Sequence, residues 1–327
     1  MPRVLLLFVD GVGLGATDAG VNPFLVARLP TFDGLLEGVP VAARGAPQHY
    51  ARSSLVGVDA ILGFAGIPQS GTGQAALLTG SNAVEMHGRH FGPWVPSRLR
   101  PLVRQESVLA RALGAGYTGA FANAYPEEVK ELIGGDTDMS RKTATLPSDV
   151  PGHVARARRG STFLRAGPPL AALGAGLLTR HTPELERGEA VASELTNEGW
   201  RTGLGRTGVP AIDAVQAGLN LARIASAYDI TLFAHYATDY AGHEQDMAVA
   251  VRTLEKLDAF LAGLIEGADE NLLIVVVSDH GNIEDVRTGH TRNPALGLVV
   301  GTGHAGFARR LKSLVDITPA IMDVLAT

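Results

Sequence analysis

Leu272-Leu273-Ile274-Val275-Val276-Val277 runs six apolar residues without a break and then turns polar at Ser278-Asp279-His280-Gly281. Val4-Leu5-Leu6-Leu7-Phe8-Val9 does the same and ends on Asp10-Gly11. Apolar runs this short, stopped by polar residues and glycine, read as strands covered on both faces, because a half-exposed strand would alternate. Working outward from Leu272, the spacing predicts a strand at Ala295–Val300 and a long amphipathic helix over Met247–Ile265. Upstream come a strand at Ile230–Tyr236 and a helix within Ala211–Tyr228. Strands alternating with helices imply an α/β fold, with a mostly parallel central sheet flanked by helices.

The chain has 327 residues, 46% hydrophobic and 19% charged, enough for one large core or two smaller ones. Residues 88–205 differ in texture, being rich in Pro and Gly. They carry 15 Lys+Arg against 12 Asp+Glu, where the remainder has 13 against 21. The simplest reading is a small cap domain at 88–205, inserted into a core made of 1–87 and 206–327. The absence of cysteine removes disulfides, thiolate zinc sites and thiol catalysis. A net charge of −5 argues against a general nucleic-acid binder. No stretch approaches the roughly 20 apolar residues of a membrane span. The first apolar run is followed by no small-residue cleavage site, so cytoplasm is the expected location.

In open α/β sheets, ligands gather at the carboxyl ends of strands. Asp10 and the Asp279-His280 pair stand there by prediction. Asp239 and His243, four residues apart, share a face if their segment is helical, and a carboxylate with an imidazole suits a metal ion. His290 lies in Thr288-Gly289-His290-Thr291, which Gly303-His304-Ala305 imitates; Pro294 and the strand that follows favour His290. Ser70 lies in Gly66-Ile67-Pro68-Gln69-Ser70-Gly71-Thr72-Gly73-Gln74, a loop feeding a small-residue helix. The N–H groups near Gly71–Gln74 would suit a phosphate, and the alternative is that Ser70 merely caps the helix. Gly11-Val12-Gly13-Leu14-Gly15-Ala16 fits the dinucleotide fingerprint, but no convincing helix follows and Asn22-Pro23 interrupts the segment.

Taken in order, these segments resemble the alkaline phosphatase superfamily, most closely its branch of cofactor-independent phosphoglycerate mutase and phosphopentomutase. Phe8-Val9-Asp10-Gly11 is similar to the first metal aspartate, Thr238–His243 to the D-x-x-G-H element, and Ser278–Asn282 to the D-H-G-N element. Ser70, nine residues before Thr79-Gly80, is similar in spacing to the nucleophile, and His290-Thr291 to the last histidine motif. The resemblance implies an alkaline phosphatase-like core with two divalent metal ions, Mn2+ or Zn2+. One would be held by Asp10, Ser70, Asp279 and His280, the other by Asp239, His243 and His290. It implies phosphoryl transfer through a phosphoserine on Ser70, as a phosphomonoester hydrolase or phosphomutase. The partner would be a small phosphorylated metabolite.

Position 74 is Gln where the mutases carry His, which makes Gln74 a candidate substrate contact. Arg98, Arg141, Arg158 and Arg159 are candidates for a phosphate or carboxylate clamp, since guanidinium binds both bidentately. Arg158 and Arg159 fall in a basic run that is equally well a solvated face. Two other readings compete: a metal-dependent phosphodiesterase or nucleotide pyrophosphatase-type esterase, and a noncatalytic metal-binding relative.

Overall fold

The computed structural model describes residues 2–41, 46–127 and 164–327. Among these, seven strands form one sheet: β1 (Arg3–Val9), β2 (Gln48–His49), β3 (Ser53–Val58), β4 (Gly119–Phe121), β5 (Ile230–His235), β6 (Leu272–Val277) and β7 (Ala295–Val300). Their order is β2-β3-β7-β6-β1-β5-β4. The two apolar runs are therefore neighbours near the middle, Val4 beside Leu273 and Phe8 beside Val277. Alternate residues serve opposite faces. Val4, Leu6 and Phe8 join one core with Leu273, Val275 and Val277, and Leu5, Leu7 and Val9 join the other with Ile274 and Val276. Each fully buried aliphatic side chain contributes roughly 1.5–3 kcal/mol, so both faces hold the central strands in place.

Five of the seven strands run in one direction, as a mostly parallel sheet requires, and β7 and β2 are reversed. β1 pairs in parallel with β5 and β6, and β4 with β5, while β6–β7, β7–β3 and β3–β2 are antiparallel. The physical reason for the reversed β7 lies in residues 278–294, a connection without a crossover helix, so the chain returns antiparallel beside β6. That reversal has a functional effect: the loop entering β7, with His290, lies at the same end as the exits of β1, β5 and β6.

One core face is covered by helices Ser70–Thr79, Arg100–Glu106, Val108–Gly114, Gly167–Gly174 and Ile317–Leu325. The other is covered by Pro30–Leu36, Ala214–Ala225 and Met247–Gly267. Asp213 and Asp246 start the last two by accepting from the backbone N–H groups of Gln216 and Val249. The segment 88–205 is thus not wholly set apart. Its residues 119–121 are a strand of the central sheet, and 100–114 and 167–174 pack into the same core as Ser70–Thr79. Those flanks carry buried apolar residues such as Val103, Leu109 and Leu170, and these find their cover only against that core. Whatever cap lies within 128–163 falls outside the described residues.

The glycines after β1 lead into no helix. Gly13 and Gly15 instead form isolated bridges with Ala295 and Val41, so the chain stays extended where a dinucleotide fold would turn helical. Among the described residues, no helix is long and apolar enough to cross a membrane.

Candidate metal centre

β1, β5 and β6 deliver their carboxyl-terminal residues to one place. Asp10 directly follows β1, Asp279 and His280 follow β6, and helix Ala237–Glu244 follows β5 with Asp239 and His243 one turn apart. Thr238 Oγ1 donates to the Asp10 carbonyl at 2.5 Å, which ties the exits of β1 and β5 together. Gly11 takes a left-handed φ of 67°, and a Cβ there would lie 2.5 Å from Asp239 Oδ1. Only glycine admits both the turn and the carboxylate.

Two groups of side chains result. Ligand atoms of Asp10, Asp279 and His280 lie within 4.8 Å of one another, as do those of Asp239, His280 and His290. His280 Nε2 is 3.4 Å from Asp10 Oδ1 and 3.7 Å from Asp279 Oδ2. In the second group, His290 Nε2 is 3.4 Å from Asp239 Oδ1 and 3.1 Å from His243 Nε2, and His243 Nε2 is 3.3 Å from Asp239 Oδ2. The rings of His280 and His290 stack with centroids 4.0 Å apart, so the groups adjoin.

Ser70 joins them from a third direction. It is the first residue of helix Ser70–Thr79, with Gln69 as the cap, and its Oγ lies 2.8 Å from His280 Nε2. It is therefore not the helix cap. The backbone N–H groups expected to receive a phosphate are partly spent, because Thr72 N donates to the Phe91 carbonyl and Gly73 N to that of Gln69.

The histidines are oriented by backbone carbonyls. His290 Nδ1 is 3.0 Å from the Pro68 carbonyl and His280 Nδ1 is 3.2 Å from that of Gly281. In its neutral form, a ring that donates from Nδ1 carries its lone pair on Nε2, the atom each turns toward the carboxylates, and once protonated it donates from both nitrogens. Asn282 Nδ2 donates to Asp239 Oδ1 at 2.6 Å and to the Asp239 carbonyl at 3.1 Å, fixing that carboxylate in the same manner.

The charge balance points to cations. Asp10 Oδ1 and both carboxylate oxygens of Asp279 are buried without a hydrogen-bond partner. Buried polar groups are rarely left so, and buried carboxylates less often still. Burial, then the charges of Asp279 and Asp239, push the Asp10 carboxyl well above its ordinary range. Burial also raises Asp279, with Asp239 adding to the effect and His280 opposing it. Burial presses Asp239 upward too, but bonds from His243 and His290 outweigh it and hold that carboxyl far below the usual range. Burial lowers His290, and the bond and charge of Asp239 more than offset this, so its pKa rises. Three carboxylates and three imidazoles fit divalent cations by their donor chemistry.

The remaining candidates stand elsewhere or in other roles. Gln74 is buried, donating from Nε2 to Asp10 Oδ2 at 3.3 Å and accepting from Gly167 N at 2.8 Å on Oε1. With both ends of its amide engaged, it braces Asp10 rather than facing a substrate. The Arg98 guanidinium donates to the Met86 carbonyl at 2.5 Å. Arg141, Arg158 and Arg159 lie outside the described residues. His304 bonds to Ser54 through Nδ1 at 2.7 Å and takes no part in either group. Sequence reasoning passed over Thr238, the side-chain role of Asn282, and Glu284, whose carboxylate meets the loops of the site.

Residues 207–327 match the metalloenzyme superfamily. The 2,3-bisphosphoglycerate-independent phosphoglycerate mutase of Desulforudis audaxviator is 35% identical over 106 residues, 30% of this chain and 21% of the mutase. That of Paracoccus denitrificans is 30% identical over 123 residues, 35% of this chain and 22% of the mutase. The chain thus spans about a fifth of the length of these relatives. Among solved structures, a phosphoglycerate mutase of Leishmania mexicana is 12% identical, covering 99% of this chain and 95% of that one, with a TM-score of 0.49. An alkaline phosphatase from the Antarctic bacterium TAB5 is 11% identical, covering 100% and 99%, with a TM-score of 0.47. The residues 207–327 that match the metalloenzyme superfamily include Asp239, His243, Asp279, His280 and His290.

Proposed function

We propose that the chain is a two-metal phosphoryl-transfer enzyme, a phosphomonoester hydrolase or phosphomutase, working through a phosphoserine on Ser70. The observation that carries this reading is the position of Ser70, its hydroxyl 2.8 Å from His280 Nε2 at the seam between the two ligand groups. Asp10, Ser70, Asp279 and His280 would hold one ion, and Asp239, His243 and His290 the other. Mn2+ or Zn2+ suits such carboxylate and imidazole donors without sulfur. When bound, the ions would lower the pKa of the serine hydroxyl and offset the charge of the transferred phosphoryl group. The aligned mutase segments support a small phosphorylated metabolite as substrate.

In this reading Ser70 Oγ attacks phosphorus as the opposite P–O ester bond breaks, leaving the phosphoryl group on the serine. Water then removes it, or a second hydroxyl of the substrate captures it, giving the hydrolase or the mutase outcome. The chain prepares the step by fixing its parts beforehand. The Pro68 carbonyl ties the loop before Ser70 to His290, and Gln74 holds Asp10. Arg98, Arg141, Arg158 and Arg159 remain candidates for gripping the distal part of the substrate.

The test is hydrolysis of p-nitrophenyl phosphate by chelated protein resupplied with Mn2+ or Zn2+, beside Ser70→Ala. Metal should restore turnover to the parent and not to the variant, with equal metal content in both. Turnover by Ser70→Ala would remove the nucleophile assignment. A parent protein that binds neither ion would overturn the whole reading.

A further inference from the structure

Glu284 is 1% exposed, and no ion pair is found for it among the described residues. Its Oε2 accepts from Gly13 N at 2.9 Å and from Asn282 N at 2.7 Å. Its Oε1 accepts from Thr291 Oγ1 at 2.5 Å and from Asn293 Nδ2 at 3.0 Å. Four donors use the four lone-pair positions of a carboxylate, so no capacity remains for a metal ion. The donors come from two connections, the exit of β1 and both ends of the β6–β7 connection in which Glu284 itself sits. Gly13 follows Asp10 on the exit of β1, Asn282 follows Asp279 and His280 on the exit of β6, and Thr291 directly follows His290. Through Asn282, whose side chain donates to Asp239, the fourth ligand-bearing segment is reached as well.

The surroundings leave room for this carboxylate and little else. A Cβ on Gly13 would lie 2.4 Å from Glu284 Oε1, and one on Gly281 would lie 2.3 Å from the same atom. Glycine at both positions lets the loops close on Glu284.

We infer that Glu284 is the positioning residue of the metal centre, clamping the His290 end of the β6–β7 connection to its Asp279-His280 end and to the loop of Asp10. This rests on the two-metal reading above and assigns a role to a residue outside both ligand groups. The clamp works by reach and by the polarity of its two ends. Oε2 faces two backbone N–H groups, which can only donate. Oε1 faces two side chains that can reverse: the Asn293 amide by turning over, and the Thr291 hydroxyl by rotating. A glutamine therefore satisfies all four neighbours, with its oxygen toward the backbone and its NH2 toward the side chains. An aspartate, one methylene shorter, serves one end and abandons the other.

The experiment is Mn2+ binding by calorimetry to chelated protein, with the melting midpoint of the metal-free form taken alongside. Glu284→Gln should keep Mn2+ affinity within about threefold of the parent, whereas Glu284→Asp should lose about 10–100-fold, the usual cost of disturbing the groups that orient metal ligands. If Glu284→Asp fails to fold, Thr291→Val carries the test, since it removes one donor of the clamp and should lose affinity in the same sense. Parent-like affinity in folded Glu284→Asp, or in Thr291→Val where the aspartate variant does not fold, overturns the inference. A loss in Glu284→Gln equal to that in Glu284→Asp also overturns it, because charge and not reach would then govern the site. A parent protein that takes up no Mn2+ is a different failure, that of the two-metal reading itself.

Discussion

Two serines in this chain face histidine rings at nearly the same distance, and their surroundings differ completely. Ser54 Oγ lies 2.7 Å from His304 Nδ1 and 2.8 Å from His49 Nδ1. A hydroxyl donates once and accepts elsewhere, so between two imidazoles it is satisfied on both sides and the network closes. Ser70 Oγ meets one imidazole, and around it stand Asp10 Oδ1 and both oxygens of Asp279, buried and without partners. A serine–histidine contact is thus no sign of chemistry in itself. Uncompensated buried charge beside it is, because such charge persists only where something else balances it.

The largest expected effect separates the two serines by turnover. Ser70→Ala should lower metal-restored phosphoryl transfer by on the order of 10^4-fold or more, since removing a nucleophile leaves only binding and electrostatics. Ser54→Ala should leave kcat and KM near those of the parent. Equal losses in both variants would show that the contrast between closed and open networks does not track function.

Asp279→Asn sharpens the contrast by changing sign with conditions. In chelator the substitution removes one of the buried like charges, and its NH2 can donate to the neighbouring Asp10 carboxylate. The metal-free variant should therefore be more stable than the metal-free parent, by about 1–3 kcal/mol. With Mn2+ present the order should reverse, because the variant has lost an anionic ligand. Calorimetric melting with and without Mn2+ reads both arms, and a variant less stable than the parent in chelator would break the argument.

The pH dependence follows from the same charges. Asp10, Asp279 and His290 all have raised folded-state pKa values. For each, the contribution to stability is present below the unfolded value and lost as pH rises through the folded one. His87, His90, His235 and His304 are held low, His235 at about 4 by burial, and these lose stability as pH falls below 6.5. The two sets oppose each other below 6.5, so the clean window lies above it. Above pH 6.5 the metal-free protein should become less stable as pH rises through the raised folded-state value of His290. Mn2+ should abolish or invert the slope, because deprotonated ligands bind it more tightly. A slope unaffected by Mn2+ would detach these groups from any metal.

The regions also differ in how far the chain announces them. β1 and β6 are legible because both faces are buried, which leaves unbroken apolar runs ending on Asp10 and Asp279. β3 reads Ser-Ser-Leu-Val-Gly-Val and escapes notice. Its Ser53 and Ser54 are buried polar residues satisfied by the Leu35 carbonyl and by histidines, partners that exist only after folding. β4 has three residues, too few for any period to appear. The ligands are legible through the strand ends they occupy, but their supports are not. Glu284 and Asp285 are adjacent acids in one loop; tertiary donors bury the first, while a neighbouring Arg287 engages the second. Gln74 looks like a free amide until Asp10 and Gly167 are seen at its two ends.

The smallest effect tests the closed network itself. Ser54→Ala removes a hydroxyl that both rings use, and a typical intramolecular hydrogen bond contributes about 0.5–1.5 kcal/mol. The loss should sit toward the lower end, because His49 is exposed and can turn to water, while only His304 is left partly buried without its partner. Mn2+ affinity should be unchanged, since Ser54 bonds to neither ligand group. A stability loss of several kcal/mol, or any fall in Mn2+ affinity, would mean that the β3 edge communicates with the strand ends. The comparison between the two serines would then describe one coupled network instead of two independent ones.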